Sequence, residues 1–170
     1  ARGLEAARFV REARYAKRRG VVRSVVAGFA VPPGTIVLDD LAASTWAFLA
    51  AHAATGERAW LDAAKDLADT AVRNLAHGKS GVLADMLISP TGPAALRQAR
   101  FPVRENVRMA RGLIRLAERV DDGAVYLRAA ERIIDGFAGF GPEMKGPDRA
   151  AYALAALELG KKSKKDEKEQ

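Results

Sequence analysis

The stretch that decides the fold is Leu38–Leu75, LDDLAASTWAFLAAHAATGERAWLDAAKDLADTAVRNL. It reads as two helices joined by a tight turn at Gly56. The first, about Asp40 to Ala54, is apolar nearly all the way round, through Leu41, Ala42, Ala43, Trp46, Ala47, Phe48, Leu49, Ala50, Ala51 and Ala53. A helix with no polar face has to be surrounded by protein or lipid, and this one is shorter than the roughly 20 residues of a bilayer span. The second, about Arg58 to Ala76, is amphipathic. Trp60, Leu61, Ala64, Leu67, Ala68, Ala71, Val72 and Leu75 make one stripe, and Asp62, Lys65, Asp66, Asp69 and Arg73 keep the other face in water. One helix is buried and the next covers it.

The same arrangement returns downstream. Pro102 suits a helix start, and a helix over about Arg104–Val120 turns Val107, Ala110, Leu113, Ile114, Ala117 and Val120 inward. After Asp121-Asp122-Gly123, a helix over about Val125–Ala138 does the same with Tyr126, Ala129, Ala130, Ile133, Ile134 and Phe137. The blocks Phe48-Leu49, Ala54-Thr55-Gly56 and Trp60–Ala64 match Leu113-Ile114, Asp121-Asp122-Gly123 and Tyr126–Ala130. A repeated helix pair implies stacked hairpins, none of which buries its apolar face alone. A last helix, about Asp148–Gly160, is again almost wholly apolar. An N-terminal helix is expected over Leu4 to about Arg19, ended by Gly20. Its arginines form either a solvated face or a polyanion contact.

Between the helices, Val21–Val37 is apolar without helical spacing and carries Pro32-Pro33-Gly34, which allows one short strand before a turn. Gly78–Phe101 is too long for a plain connection between packed helices, where about 2–8 residues is usual. It has room for a short strand pair in 81–101, and long loops of this kind often line a site. Gly136, Gly139 and Gly141 read as a hinge before Pro142. The expected class is therefore all-α, a helical-hairpin domain over 1–160 followed by a disordered lysine-rich tail over 161–170, which has no apolar residue to pack.

Composition narrows the function. At 170 residues with 49% hydrophobic side chains the chain is long enough for a real core. Cysteine is absent, which removes disulfides, thiol catalysis and thiolate metal sites. The net charge of +7 sits at the ends: residues 1–23 carry +6 and 161–170 carry +2, leaving −1 between. A basic body would have indicated a nucleic-acid face; the globular part is electrically ordinary. There is no glycine-rich phosphate loop, no GxSxG and no triad pattern. His52 and His77 have no acids at metal-ligand spacing, so neither a metal nor a cofactor is expected. With no membrane-span run and no signal-peptide layout, a cytoplasmic location is expected. A chain starting at Ala1 is expected to be a processed product or a piece of something longer. Scarce Asn and Gln beside many Arg and Glu is a thermophile-like bias.

VLDDLA at Val37–Ala42, ATGERAWLDAAKDLAD at Ala54–Asp69, GVLAD at Gly81–Asp85, PVRENVRMARGLIRLAE at Pro102–Glu118 and YLRAAERIIDGFAGF at Tyr126–Phe140 together resemble one family. It is the thioredoxin-domain-containing proteins related to spermatogenesis-associated protein 20, in the C-terminal part of their helical region. That region resembles the six-hairpin glycosidases and the N-acylglucosamine 2-epimerases, an (α/α)6 toroid whose inner helices line a cleft. The resemblance implies a half ring here, with nothing corresponding to the thioredoxin domain. Its open sides would be covered by the missing N-terminal half of the toroid or by a second copy, and its cleft would take a sugar-like small molecule.

On that frame Asp39, Asp40 and Glu105 stand at the mouth of the cleft as acid/base candidates. All three also suit a plain structural role, capping backbone N–H groups and favouring the helix dipole. Asn106, Arg104, Arg108 and Trp46 are the substrate-binding candidates. Arg104, Arg108, Arg111, Arg115 and Arg119 form a stripe on one helix face, either ion-paired and solvated or facing a wet cleft that binds an anionic sugar or phosphate. Trp46 and Trp60 are core residues or sugar-stacking ones. The alternative function is a helical scaffold meeting nucleic acid, ribosome or an acidic protein through its basic ends.

Overall fold

The computed structural model describes residues 2–22, 25–26, 29–30, 36–87, 97–140 and 144–166, the side chains of 25–26, 29–30 and 163–166 excepted. Helices α1 (Arg2–Ala13), α2 (Leu38–Thr55), α3 (Arg58–Leu75), α4 (Val103–Ala117), α5 (Gly123–Gly136) and α6 (Gly146–Asp166) form two layers. Helices α2, α4 and α6 stand side by side as an inner row, while α3 backs α2, α5 backs α4, and α1 rests on α2.

Helix α2 stops where Gly56 takes a left-handed conformation (φ 73°) and returns its N–H to His52 O at 2.8 Å. Glycine adopts this conformation without a Cβ penalty, and two residues later α3 starts back along the same wall. Phe48 on α2 and Trp60 on α3, both fully buried, meet with ring centroids 5.6 Å apart. The core continues through Leu38, Leu41, Leu67, Met109, Leu113, Leu116 and Ile133. The apolar helix is nonetheless not surrounded: Ala43, Ala50, Ala53 and Ala54 are exposed along one face. Alanines leave little apolar area per residue in water, so an inner helix tolerates an open face.

The segment 82–87 works as a strap. Ala84 N–H donates to Leu75 O at the end of α3, and Leu38 N–H at the start of α2 donates to Asp85 O. Leu87 N–H donates to Ile36 O, and Asp85 N–H to Arg100 O just before α4. Among the described residues of 81–101 there are isolated bridges, Ala76 with Leu83 and Val37 with Met86, and the rest of the expected strand pair, over 88–96, lies outside the described residues. The two-residue strand pairs occur in the N-terminal connection: β1 (Tyr15–Ala16) with β2 (Gly20–Val21), and β3 (Val25–Val26) with β4 (Phe29–Ala30).

Two helix ends differ from the sequence expectation. Helix α1 ends at Ala13, not near Arg19, because the chain reverses through Arg18 at φ 64°. Asp66 holds that reversal, accepting from the Tyr15 hydroxyl at 3.0 Å and from Arg18 N–H at 2.9 Å. Helix α6 runs past Gly160 to Asp166, so the first part of the lysine-rich tail is helical. Lys162 Nζ reaches Glu118 at 2.7 Å, ties α6 to the end of α4 and holds the Glu118 carboxyl below its usual range.

The outer helices α3 and α5 are joined by a polar cluster. The Tyr126 hydroxyl donates to Asp69 at 2.7 Å, and Lys65 Nζ reaches Tyr126, Asp69 and Asp122. Burial, with the Asp69 hydrogen bond and against the pull of Lys65, pushes the Tyr126 phenol up to about 12. A phenol raised in the folded state contributes stability that is present below the ordinary value near 10 and lost as pH rises through about 12. The thermal midpoint is therefore expected to fall between pH 10 and 12, and Tyr126→Phe to flatten part of that fall. Ultraviolet titration of the tyrosinates provides the check, since tyrosines all ionising near pH 10 would refute it.

Gly136, read from sequence as part of a hinge, is instead a point of close contact. A Cβ there would lie 2.2 Å from Val82 Cγ2. Gly136→Ala is expected to destabilise by about 1–3 kcal/mol through overpacking, and Val82→Ala in the same chain to recover part of the loss in urea unfolding.

Candidate functional site

Each inner helix carries an acid in its first turn: Asp39 and Asp40 on α2, Glu105 on α4, Asp148 on α6. The cap positions of α2 and α4 are Val37 and Pro102, neither making a side-chain cap bond, and Leu38 N–H is satisfied by the strap carbonyl of Asp85. The first-turn acids stand at the positive end of the helix dipole, and two of them, Asp39 and Asp148, also reach a neighbouring helix.

Both contacts are made with the arginine stripe of α4. Arg108 reaches Asp39 on α2 at 2.9 Å, and Arg104, one turn earlier, reaches Asp148 on α6 at 3.3 Å. One turn further on, Arg111 grips Glu158 of α6 with two bonds of 2.8 Å. This paired geometry is the strong form of the contact, and the Glu158 bond raises the Arg111 guanidinium above its ordinary value. The central helix therefore lends cations to the acids of both neighbours. Asp39 and Arg108 are only half covered, with side chains 44% and 39% exposed, so this pair stays open to competition from solutes.

Trp46 completes the wall. Its indole N–H donates to Arg108 O at 2.8 Å, and the guanidinium groups of Arg115 and Arg111 lie 4.2 and 5.2 Å from its ring centroid. Cations over an indole face are attracted by its quadrupole. Trp46 therefore acts here as a brace for the arginines, with part of its stacking surface already in use. Gly112 permits the approach, lying with its Cβ position 3.4 Å from the indole nitrogen.

A groove of about 530 Å³ lies along this face between α2, α4 and α6, lined by Ala43, Trp46, Arg104, Arg108, Arg111 and Asp148 among others. Of the sequence candidates, Arg104, Arg108 and Trp46 line it and Asp39 touches it through Arg108. Glu105 is half-buried on the flank of α4 and is not among the lining residues. Asp40 is half-buried in the first turn of α2 and likewise does not line the groove.

Asn106 is placed otherwise than expected for a substrate-binding residue. It is fully buried, and its Oδ1 accepts from Leu83 N–H at 2.8 Å. Its Nδ2 donates to Leu83 O at 2.8 Å and to Pro102 O at 2.9 Å. It fastens the strap to α4. Asp148 and Glu158 were missed; the repeated signal was an acid opening each apolar helix, which Asp148 shares with Asp39. A larger hollow of about 840 Å³, lined mainly by apolar residues such as Val82, Phe101 and Phe137, shares Asp148 with the groove. It holds no comparable set of paired charges.

At the chain's basic start, Arg11 lies 3.9 Å from the Trp60 centroid and Arg14 5.5 Å from that of Phe9, so two of these cations are used internally. His52 Nδ1 is 3.1 Å from Glu57 O and His77 packs on Phe101. Among the described residues there is no group of three metal-ligating side chains, and no helix is long and apolar enough to cross a membrane.

The described helices form stacked hairpins with the fold of part of an α/α toroid. Comparison with solved structures gives the particulars. The chain is similar to an unsaturated glucuronyl hydrolase specific for heparin, with a TM-score of 0.61 at 12% identity over 77% of this chain and 38% of that one. It is also similar to the unsaturated glucuronyl hydrolase from Bacillus sp. GL1, responsible for the degradation of glycosaminoglycan, with a TM-score of 0.57 at 16% identity over 79% of this chain and 37% of that one. The chain thus spans less than two fifths of either neighbour. No protein-family model and no curated protein matches it. The narrower resemblance to the thioredoxin-domain family gains no support from these comparisons, nor does the thermophile-like bias.

Asn106→Ala would leave Leu83 N–H and C=O buried without partners. It is expected to cost about 2–4 kcal/mol in urea unfolding and to speed hydrogen exchange at Leu83 more than at the middle of α4. Equal acceleration at both places would refute the fastening role.

Proposed function

We propose that the α2–α4–α6 face is one wall of a carbohydrate cleft, and that its ligand is a sugar bearing a negative charge, a ring carboxylate being the simplest form. One observation carries this reading: Arg104 and Arg108 stand one turn apart at an open groove, each already holding a carboxylate from a neighbouring inner helix. Protein acids thus occupy the positions an anionic ligand would take. The glucuronyl hydrolases among the structural neighbours support a carboxylate-bearing ring as the ligand.

A ligand carboxylate would displace Asp39 from Arg108 at little net loss, one ion pair replacing another. The displaced Asp39 is then the acid closest to the bound ring and the first choice for proton transfer. Asp40 and Glu105 are second choices on the flanks. Acid/base cleavage of a glycosidic bond needs two separated carboxyl groups, and Asp148, reaching Arg104 from the opposite side, is the natural counterpart. Trp46 keeps the arginines aimed into the groove.

The Trp46 indole N–H gives an NMR signal at the groove, and the fully buried Trp60 serves as an internal control. Glucuronate is expected to move the Trp46 signal, glucose to move it far less, and Arg108→Ala to weaken glucuronate binding about tenfold, as loss of one charge-assisted contact implies. Asp39→Asn, which removes the competing carboxylate, is expected to tighten it. Indifference to both sugars would overturn the reading; an equal response to inorganic phosphate would reduce it to a simple anion site.

A further inference from the structure

The hollow of about 840 Å³ is built differently from the groove, and among the described residues the two share Asp148 alone. Its walls come from 77–148, well inside the chain. The strap supplies Val82, the approach to α4 supplies Phe101, the end of α5 and the turn after it supply Phe137 and Phe140, and Met144 precedes α6. Val82, Phe137 and Met144 are buried, whereas Phe101 and Phe140 are 36% and 53% exposed. The missing side chain at Gly136 is what lets Val82 close against the end of α5. Phe101 packs on His77 with ring centroids 5.0 Å apart, and Phe137 meets Phe140 at 6.3 Å. Two aromatic pairs on separate elements thus border one space.

The charges of this wall are mostly cations. Arg100 and Lys145 both line the hollow and are exposed. Each is anchored through its backbone: Arg100 O accepts from Asp85 N–H of the strap, and Lys145 O from Arg149 N–H in the first turn of α6. Among the described residues neither side chain makes an ion pair. Asp148, the acid of the wall, is already held by Arg104 at 3.3 Å. An apolar cavity bordered by a few polar groups is the usual form of a small-molecule site, typically about 300–1,000 Å³. Aromatic side chains favour another ring placed edge-on or offset, and cations without an acid partner favour an anion. We infer that the hollow binds a small aromatic carboxylate, its ring against the His77–Phe101 and Phe137–Phe140 pairs and its charge at Arg100 and Lys145. This site is separate from the sugar groove and does not rest on it.

Cinnamate added to the whole chain is the test. His52 and His77 are the chain's two histidines, and His77 lines the hollow whereas His52 lies by Glu57 O. Cinnamate is expected to move the ring-proton NMR signals of His77 and to leave those of His52 and the Trp46 indole in place. Cinnamyl alcohol, which keeps the ring and loses the charge, should bind about tenfold more weakly, and Arg100→Ala or Lys145→Ala should each weaken cinnamate by about the same factor, as loss of one charge-assisted contact implies. Phe140→Ala should weaken the acid and the alcohol alike. An unmoved His77, an equal movement of His52, or equal affinity for acid and alcohol would overturn the inference. The comparison of acid with alcohol uses the unaltered chain, so it decides the matter even if a variant fails to fold.

Discussion

The fold turns on one buried amide. Asn106 gives Leu83 both halves of a backbone pairing in a place where water is excluded, and in doing so fixes the strap against the first turn of α4. The strap in turn supplies the carbonyl that receives Leu38 N–H and takes its place beside the end of α3. Three helix ends meet in this short segment. An irregular loop in such a position would carry unpaired backbone groups into the core at a cost of about 1–3 kcal/mol each. Because they are paired, the N-terminal turns of α2 and α4 are held in register, and the register sets which arginine meets which acid.

Much of this architecture was legible from residue periodicity. An apolar helix followed by an amphipathic one, twice over, leaves few arrangements other than an inner row backed by an outer one. What periodicity missed has local causes. The end of α1 was hidden because Arg14 to Arg19 continue a helical pattern of charges, and only the distant Asp66, holding Tyr15 and Arg18, makes the reversal favourable. The extension of α6 was hidden because Gly160 and a polar tail look like a stop. Lys and Glu are good helix formers, and the contact between Lys162 and Glu118 gives the extra turns something to hold. Asp85, Met86 and Leu83 look like a strand because they pair with neighbours, but with a different neighbour at each step.

The groove was legible in part, for a different reason. A stripe of arginines along an inner helix contradicts a dry ring, and that contradiction marks a wet face. Spacing on one helix cannot reveal a partner on another, however. Asp148 and Glu158 lie more than 40 residues from the arginines they hold. Asn106 misled because a polar residue beside Arg104 and Glu105 looks like part of their site. It sits on the opposite side of the helix from the arginine stripe, and an amide with both a donor and an acceptor serves a backbone as well as it serves a sugar.

The arginine stripe and the exposed alanines of α2 belong to one solution. An inner row with one side open to water cannot present large apolar side chains there without inviting association, and α2 presents alanines. Small residues leave the row thin and poorly held from that side. The ion pairs across it supply the missing cohesion: Asp39 to Arg108 joins α2 to α4, and Arg104 to Asp148 with Arg111 to Glu158 joins α4 to α6. Exposed pairs hold weakly, about 0–1 kcal/mol each, as the proposed displacement by an anionic sugar requires. The doubly bonded, better covered Arg111–Glu158 pair is the exception, and it sits furthest from the mouth. The row is fastened firmly around Arg111 and Glu158 and loosely around Asp39 and Arg108.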